Sequence, residues 1–204
     1  MDTLSIDDPD ALDRAADVIR AGGLLILPTD TVYGVAADLS QPEAVARLYE
    51  IKGRPPEKAI PILVADFGGV RKVAQHVPLE ANKLADAFWP GPLTIALPKW
   101  PVIPEIVSAL PTVGVRIPDH DGARAVIRAC GGALAVTSAN RSGGPNPLTA
   151  GQAALLEGVD LLLDGGTCPG GQPSTVVDVS GGELRIVREG PIDEAALRRA
   201  LAAS

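Results

Sequence analysis

Apolar residues follow two rhythms along this chain. Leu24-Leu25-Ile26-Leu27 is an unbroken run that predicts a buried strand over 24–27. Ile60-Pro61-Ile62-Leu63-Val64, residues 93–97, Ala133-Leu134-Ala135-Val136 and residues 159–163 repeat the signal. Val113, Val115 and Ile117 alternate with Gly114 and Arg116, a period of two that turns Arg116 away from the apolar row. Between these strands the spacing changes to three and four. Leu12, Ala15, Ala16 and Ile19 follow Asp8-Pro9 and precede Gly22, which predicts a helix with a cap and a glycine stop. Ser40 and Glu43 form a capping-box pattern ahead of Val45, Leu48 and Tyr49, in a helix expected to end near Ile51. Further helices are predicted over 78–88 and 121–129, after a Thr149–Gln152 capping box, and from Pro191 to the end. Residues 174–179 and 184–188 read as a hairpin joined through Ser180-Gly181-Gly182. Alternation of strands and helices predicts an α/β fold with a mixed, twisted sheet, in one domain over residues 1–204.

The polar punctuation is less ordinary. Strand 24–27 runs straight into Pro28-Thr29-Asp30-Thr31-Val32-Tyr33-Gly34, where two hydroxyls and a carboxylate stand at the end of a buried strand. Such groups are poor core material and suit a pocket floor, since ligands of open α/β sheets bind beyond strand ends. The pattern recurs where Val136 gives way to Thr137-Ser138-Ala139-Asn140, followed by Ser142-Gly143-Gly144-Pro145. A third cluster, Lys52-Gly53-Arg54-Pro55-Pro56-Glu57-Lys58, places three cations in seven residues. Its prolines push Arg54 and Pro55 toward extended backbone, which would aim Lys52 and Arg54 to the same side. Trp89, between a helix and Pro90-Gly91-Pro92, is expected simply to pack. Arg116 on its strand is read in the first instance as facing solvent, with Gly114 leaving space beside it.

Composition narrows the chemistry. The formal net charge of −7 over 204 residues argues against a domain that lives by neutralising nucleic-acid phosphates, yet leaves room for a small phosphorylated ligand held by a local group of cations. No apolar run approaches the ~20 residues of a membrane span, and the acidic start lacks the features of a signal peptide, so a soluble, cytoplasmic protein is expected. Cys130, Cys168, His76 and His120 show no metal-ligand spacing. Neither a G-x-x-x-x-G-K-[ST] loop nor a G-x-G-x-x-G turn is present, so a nucleotide would need another kind of site.

Taken in order, Pro28 to Gly34, Lys52-x-Arg54, Trp89-Pro90-Gly91-Pro92-Leu93-Thr94, Val115-Arg116-x-Pro118, Ser138-Ala139-Asn140 with Ser142-Gly143, Ser174-Thr175-Val176-Val177-Asp178 and Arg188-x-Gly190 resemble the YrdC-like family of threonylcarbamoyl-AMP synthases. The ordered set spans nearly the whole chain, and one departure is the order Lys58-Ala59-Ile60-Pro61 where many members have a proline directly after the lysine. The resemblance implies a YrdC-like twisted mixed sheet flanked by helices, with a concave ligand-binding surface. It further implies synthesis of L-threonylcarbamoyladenylate and pyrophosphate from L-threonine, bicarbonate and ATP, for the N6-threonylcarbamoyl group at position 37 of tRNA. Mg2+ would arrive with ATP, and the product would pass to the tRNA threonylcarbamoyltransferase machinery. The resemblance assigns Lys52 and Arg54 to catalysis. ATP contacts fall to Lys52, Arg54, Lys58, Thr112, Ser138, Asn140 and Arg188, and threonine contacts to Thr31, Arg116 and Ser174. A paralogue with another acyl-adenylate activity and an RNA-binding module are the competing readings, and direct tRNA contact is left open.

Overall fold

A computed structural model describes residues 1–203. In chain order the elements are β1 (Asp2–Ser5), α1 (Ala11–Arg20), β2 (Leu25–Leu27), β3 (Gly34–Ala37), α2 (Pro42–Lys52), β4 (Ile62–Val64), α3 (Phe67–Val73), α4 (Leu79–Phe88), β5 (Leu93–Pro98), β6 (Thr112–Arg116), α5 (Asp121–Ala129), β7 (Ala133–Ser138), α6 (Ala150–Ala153), β8 (Leu161–Asp164), β9 (Thr175–Asp178), β10 (Arg185–Arg188) and α7 (Glu194–Ala202). The strands form one ten-stranded sheet in the order β1-β8-β2-β3-β7-β4-β6-β5-β9-β10. Pairs β1/β8, β2/β8, β4/β6 and β5/β9 are parallel and the others antiparallel, so the expected mixed α/β sheet is present. No helix among the described residues is long and apolar enough to cross a membrane.

Side-chain alternation divides the core between the two faces of the sheet. Ile26, Val35, Ile62, Ile95, Val115 and Val177 point to a face covered by α2, α3, α4, α6 and α7. Their neighbours Leu25, Leu27, Ala36, Leu134, Leu161 and Leu163 point the other way and meet α1 and α5. That second layer stops at β4. Beyond it, on β6, β5, β9 and β10, the same face carries Gly114, Arg116, Thr94, Ala96, Val176 and Asp178, and these line an open cavity instead of meeting a helix.

Several expected boundaries move for identifiable reasons. Ser40 does not cap α2: Gln41 holds that position, Pro42 takes the first helical turn, and the Ser40 hydroxyl donates to Asp38 at 2.7 Å. The same helix continues through Lys52 and stops at Gly53, whose φ of 56° is a left-handed cap. Lys52 is therefore helical, not part of an extended loop. The last helix begins at Glu194, later than Pro191, because Thr175 Oγ1 accepts the Ile192 N–H at 3.0 Å and keeps that segment on β9; Asp193 then caps Ala196 N–H at 2.7 Å. The Thr149 cap forms as expected, on a helix of only 4 residues. Strands β1 and β3 and helix α3 carry no distinct signal: β1 is mostly exposed, α3 contains Gly68-Gly69, and β3 begins directly after the polar stretch.

Candidate active site

The polar stretch Pro28–Tyr33 is the connection between β2 and β3, and it lies over the end of β6. Arg116, the last residue of β6, is buried to 5% exposure, so the solvent-facing reading of this arginine is corrected. Its Nε donates to Gly91 O at 2.9 Å, Nη1 to Thr31 Oγ1 at 2.9 Å and Nη2 to Asp30 Oδ1 at 2.5 Å. Asp30 Oδ1 also accepts the Asp119 N–H at 3.1 Å. Burial lowers the Arg116 pKa and the adjacent Asp30 carboxylate opposes that, which leaves a charged guanidinium held in one orientation. The Trp89-Pro90-Gly91-Pro92 turn thus has a role beyond packing, because it supplies the Gly91 carbonyl. Trp89 itself packs as expected, with Nε1 donating to Leu93 O at 2.7 Å.

Thr29 and Thr31 form a short relay behind Arg116. The Thr29 hydroxyl donates to Val32 O at 2.7 Å and lies 2.9 Å from Thr31 Oγ1. Across the cavity a second arginine and a second hydroxyl pair mirror this arrangement. Arg188 donates from Nε and Nη2 to Ser174 O at 3.1 and 2.8 Å, and from Nη2 to Ser174 Oγ at 3.2 Å. Ser174 Oγ is in turn 2.7 Å from Thr94 Oγ1. A register shift between Ile186 and Arg188 lets the consecutive residues Val187 and Arg188 both line the cavity. Gly190 is required by contact: a Cβ there would lie 2.3 Å from Thr175 N and 2.6 Å from Ser174 C.

The cationic loop separates into two fates. Arg54 lines the cavity, its guanidinium steadied by Lys58 O at 3.0 Å and Ala59 O at 2.7 Å. Lys58 closes a turn on Pro55 O at 3.1 Å and also lines the cavity, despite the displaced proline that follows it. Lys52 does not share that wall. Its ammonium is buried and donates to the carbonyls of Ser138 and Asn140, while its own carbonyl accepts the Ser142 N–H at 2.7 Å. The expectation that Lys52 and Arg54 project together is thus corrected, because helical backbone at 52 and the left-handed residue at 53 point them apart. Burial, with Arg54 nearby, pulls the Lys52 pKa down to about 8.

Of the anticipated residues, the cavity collects Thr31, Arg54, Lys58, Thr112, Arg116, Ser138, Ser174 and Arg188. Lys52 and Asn140 stand outside its wall. Asn140 Nδ2 donates to Gly144 O at 2.7 Å and Arg141 O at 3.0 Å, which folds the glycine-rich turn back on itself. The cavity also holds Thr94, Asp178 and Arg185, to which the sequence reading gave no role. Period-two alternation against Leu93, Ile95 and Leu97 was the available signal for Thr94. Asp178 and Arg185 are cross-strand partners, 2.7 Å apart, in a hairpin whose register the sequence left open.

The cavity measures about 690 Å³, ample for a nucleotide with a small co-substrate. Five cations line it, Arg54, Lys58, Arg116, Arg185 and Arg188, against two carboxylates, Glu57 and Asp178. Among the described residues Arg54 and Arg188 have no carboxylate at ion-pair distance. Burial lowers the pKa of Arg188, and Arg116 and Arg54 beside it lower it further. Four guanidiniums line the cavity, and with Arg116 paired to Asp30 and Arg185 to Asp178 the charge of Arg54 and Arg188 is left over, which makes a site for anions. No three His, Cys, Asp or Glu side chains among the described residues converge as a metal cage.

A family profile described as "Telomere recombination", covering Sua5, YciO and YrdC proteins, matches residues 17–190. A Pyrococcus abyssi protein named threonylcarbamoyl-AMP synthase is 40% identical over 88% of this chain, and the chain spans only about half, 54%, of that protein. A Mycobacterium tuberculosis protein named putative threonylcarbamoyl-AMP synthase is 36% identical over 94% of this chain and 91% of its own length. Among solved structures, P. abyssi Sua5 complexed with L-threonine superposes with a TM-score of 0.90 at 36% identity, over 94% of this chain and 57% of that one. The family's twisted mixed sheet and its open face are thus those described above, and the chain belongs to the Sua5/YciO/YrdC family.

Proposed function

We propose that the cavity makes L-threonylcarbamoyladenylate and pyrophosphate from L-threonine, bicarbonate and ATP, as the donor for tRNA threonylcarbamoylation. One observation carries the reading: four arginines face one cavity, and two of them, Arg54 and Arg188, are matched by no carboxylate, whereas Arg116 pairs with Asp30 and Arg185 with Asp178. The Arg116–Asp30 pair is close to neutral and suits a zwitterion, with the amino-acid carboxylate taken by the two guanidinium N–H groups that the protein leaves free. Arg54 and Arg188 retain uncompensated charge and suit the triphosphate. Mg2+ bound to that triphosphate would supply further neutralisation of its oxygens. Lys58, Thr112 and Ser138 line the same cavity and are assigned to the nucleotide, while Ser174 is assigned to the amino acid. Lys52 and Asn140 support this wall from behind, through the carbonyls and the turn that follow β7.

The chemistry asks for positioning more than for an enzyme nucleophile. The threonine amine forms an N–C bond to the bicarbonate carbon, water leaves, and a carbamate remains. A carbamate oxygen then forms a bond to the α-phosphorus of ATP, the bond to the β-phosphate bridging oxygen breaks, and pyrophosphate carries away the electron pair. Both steps bring anions together, which is the cost that converging guanidiniums offset. One charge-assisted contact near 4 Å is worth about 4 kcal/mol at an effective dielectric of 20, before desolvation. The test is pyrophosphate release with mass detection of the adenylate. It is expected only when ATP, bicarbonate and L-threonine are all present, and equal turnover with serine or without an amino acid would overturn the reading.

A further inference from the structure

Tyr49 stands on the apolar face of α2, where its ring packs half-buried against the larger core and would do so without a hydroxyl. The hydroxyl reaches beyond the helix. Its oxygen lies 2.9 Å from Ile106 O and 3.1 Å from Lys58 O, and since neither carbonyl can donate, the one phenolic proton serves two oxygens on two different loops. Both loops end at the cavity: the first brings Arg54, Glu57 and Lys58 to it, the second Ser108 and Leu110. The Ile60 N–H joins them again by donating to Val107 O at 2.9 Å, and Lys99 Nζ ties the second loop from its other side through Ser108 O at 2.6 Å.

Lys58 O is also one of the two oxygens that steady Arg54. Nε donates to it at 3.0 Å while Nη2 donates to Ala59 O at 2.7 Å, so two consecutive carbonyls set the plane of the guanidinium, and Tyr49 holds the first of them. The contact is felt in both directions: the Arg54 charge works against the upward shift that burial gives the Tyr49 phenol, and Tyr49 works against the downward shift that burial gives Arg54. Tyr49 itself does not line the cavity. Resting on the function proposed above, we infer that Tyr49 is a positioning residue for the nucleotide side: its hydroxyl locks the Lys58 carbonyl to the Ile106 loop and thereby presents Arg54, already oriented, to the phosphate chain. A guanidinium ordered before the ligand arrives has less freedom to lose on binding. Arg116 is held by Gly91, Thr31 and Asp30 and owes nothing to Tyr49, so the amino-acid side is blind to it.

The test is calorimetric titration of the full chain with ATP and with L-threonine. Tyr49→Phe keeps the ring and deletes the hydroxyl. It is expected to weaken ATP about fivefold, the worth of one neutral hydrogen bond, and to leave threonine within about twofold of native. The same substitution placed on Arg54→Ala is expected to change ATP affinity by less than about twofold, because the side chain it acts through is gone. A merely structural hydroxyl weakens both ligands, and one that reaches ATP by another route repeats its loss without Arg54; either result overturns the inference, as does native ATP affinity in Tyr49→Phe. Should Tyr49→Phe fail to fold, the native protein decides through its near-ultraviolet tyrosine spectrum on saturation with inorganic tripolyphosphate, which does not absorb there. A difference band in the native protein that is absent from Arg54→Ala is the expected result, and a silent spectrum, or a band that survives in Arg54→Ala, overturns it. Absence of ATP binding by the native protein overturns the functional reading and the inference with it, and is distinguishable because it precedes any variant.

Discussion

One face of the sheet is put to two uses. From β1 to β4 it is dry: Leu25, Leu27, Leu134, Leu161 and Leu163 pack against Ala15, Ile19, Val126 and Ile127 from two helices. From β6 to β10 no helix covers it, and glycine, threonine and arginine occupy the positions that leucine and alanine hold on the other side. The backbone is the same twisted pleat in both halves. What differs is whether a helix is available to take up the face, and a face without one must be polar or carry a ligand. In the covered half, free energy comes from burial and shape. In the open half, charges are held in place by carbonyls and hydroxyls while much of their capacity is left for something that is not protein.

That contrast predicts opposite outcomes for substitution, and the largest effect belongs to the covered half. Leu134→Ala removes a fully buried side chain between β7 and the α1/α5 layer, and should destabilise the fold by roughly 2–5 kcal/mol. Chemical denaturation measures this, and the folded fraction should bind ATP and threonine as before. Reduced affinity at full folding would show that the two halves of the sheet face are coupled and do not act separately.

In the open half, Arg54→Ala and Arg188→Ala should leave stability nearly intact. Both guanidiniums bond only to carbonyl or hydroxyl oxygens, and burial already works against their charge. Each should cost ATP binding roughly 1.5–3 kcal/mol, the loss of one charge-assisted contact. Calorimetric titration with ATP checks it. A double variant with native ATP affinity would remove both residues from the nucleotide side.

The third effect concerns geometry at constant charge. Lysine at 116 keeps the cation but lacks the planar fork that meets Gly91, Thr31 and Asp30 at once. Arg116→Lys should raise the threonine requirement about tenfold, or about 1.4 kcal/mol, with ATP affinity little changed. A variant that loses ATP and keeps threonine would reverse the two sides of the cavity.

These residues also show how far the sequence reads. The alternation Val113-Gly114-Val115-Arg116-Ile117 placed Arg116 off the core face correctly, because period two is a local property of the strand. What covers that off-core face is not local. Whether Arg116 meets water, a helix or Asp30 depends on sheet order, which brings β6 beside β5 and lays the β2–β3 connection over its end. Lys52 failed for the reverse reason. Its cluster was recognised as unusual, but Gly53 adopts a left-handed cap, and one residue of added helix turns the ammonium toward β7. Strand β1 was invisible because a parallel edge strand with exposed side chains has little pattern of its own; pairing with β8 makes it a strand.

The smallest effect is also the sharpest probe of the open half. Thr112 lines the cavity at the start of β6, and its carbonyl accepts the Ser108 hydroxyl at 2.8 Å. Its own hydroxyl makes no hydrogen bond to the protein among the described residues. Thr112→Val keeps the branched shape that suits a strand and deletes only that hydroxyl, so the fold should lose almost nothing. If ATP uses the hydroxyl, affinity should fall by about 1 kcal/mol, roughly fivefold, the net worth of one neutral hydrogen bond. The two quantities are read separately, by thermal unfolding without ligand and by titration with ATP. A fall in affinity at unchanged melting temperature places Thr112 among the groups kept for the ligand. Unchanged affinity returns it to the sheet.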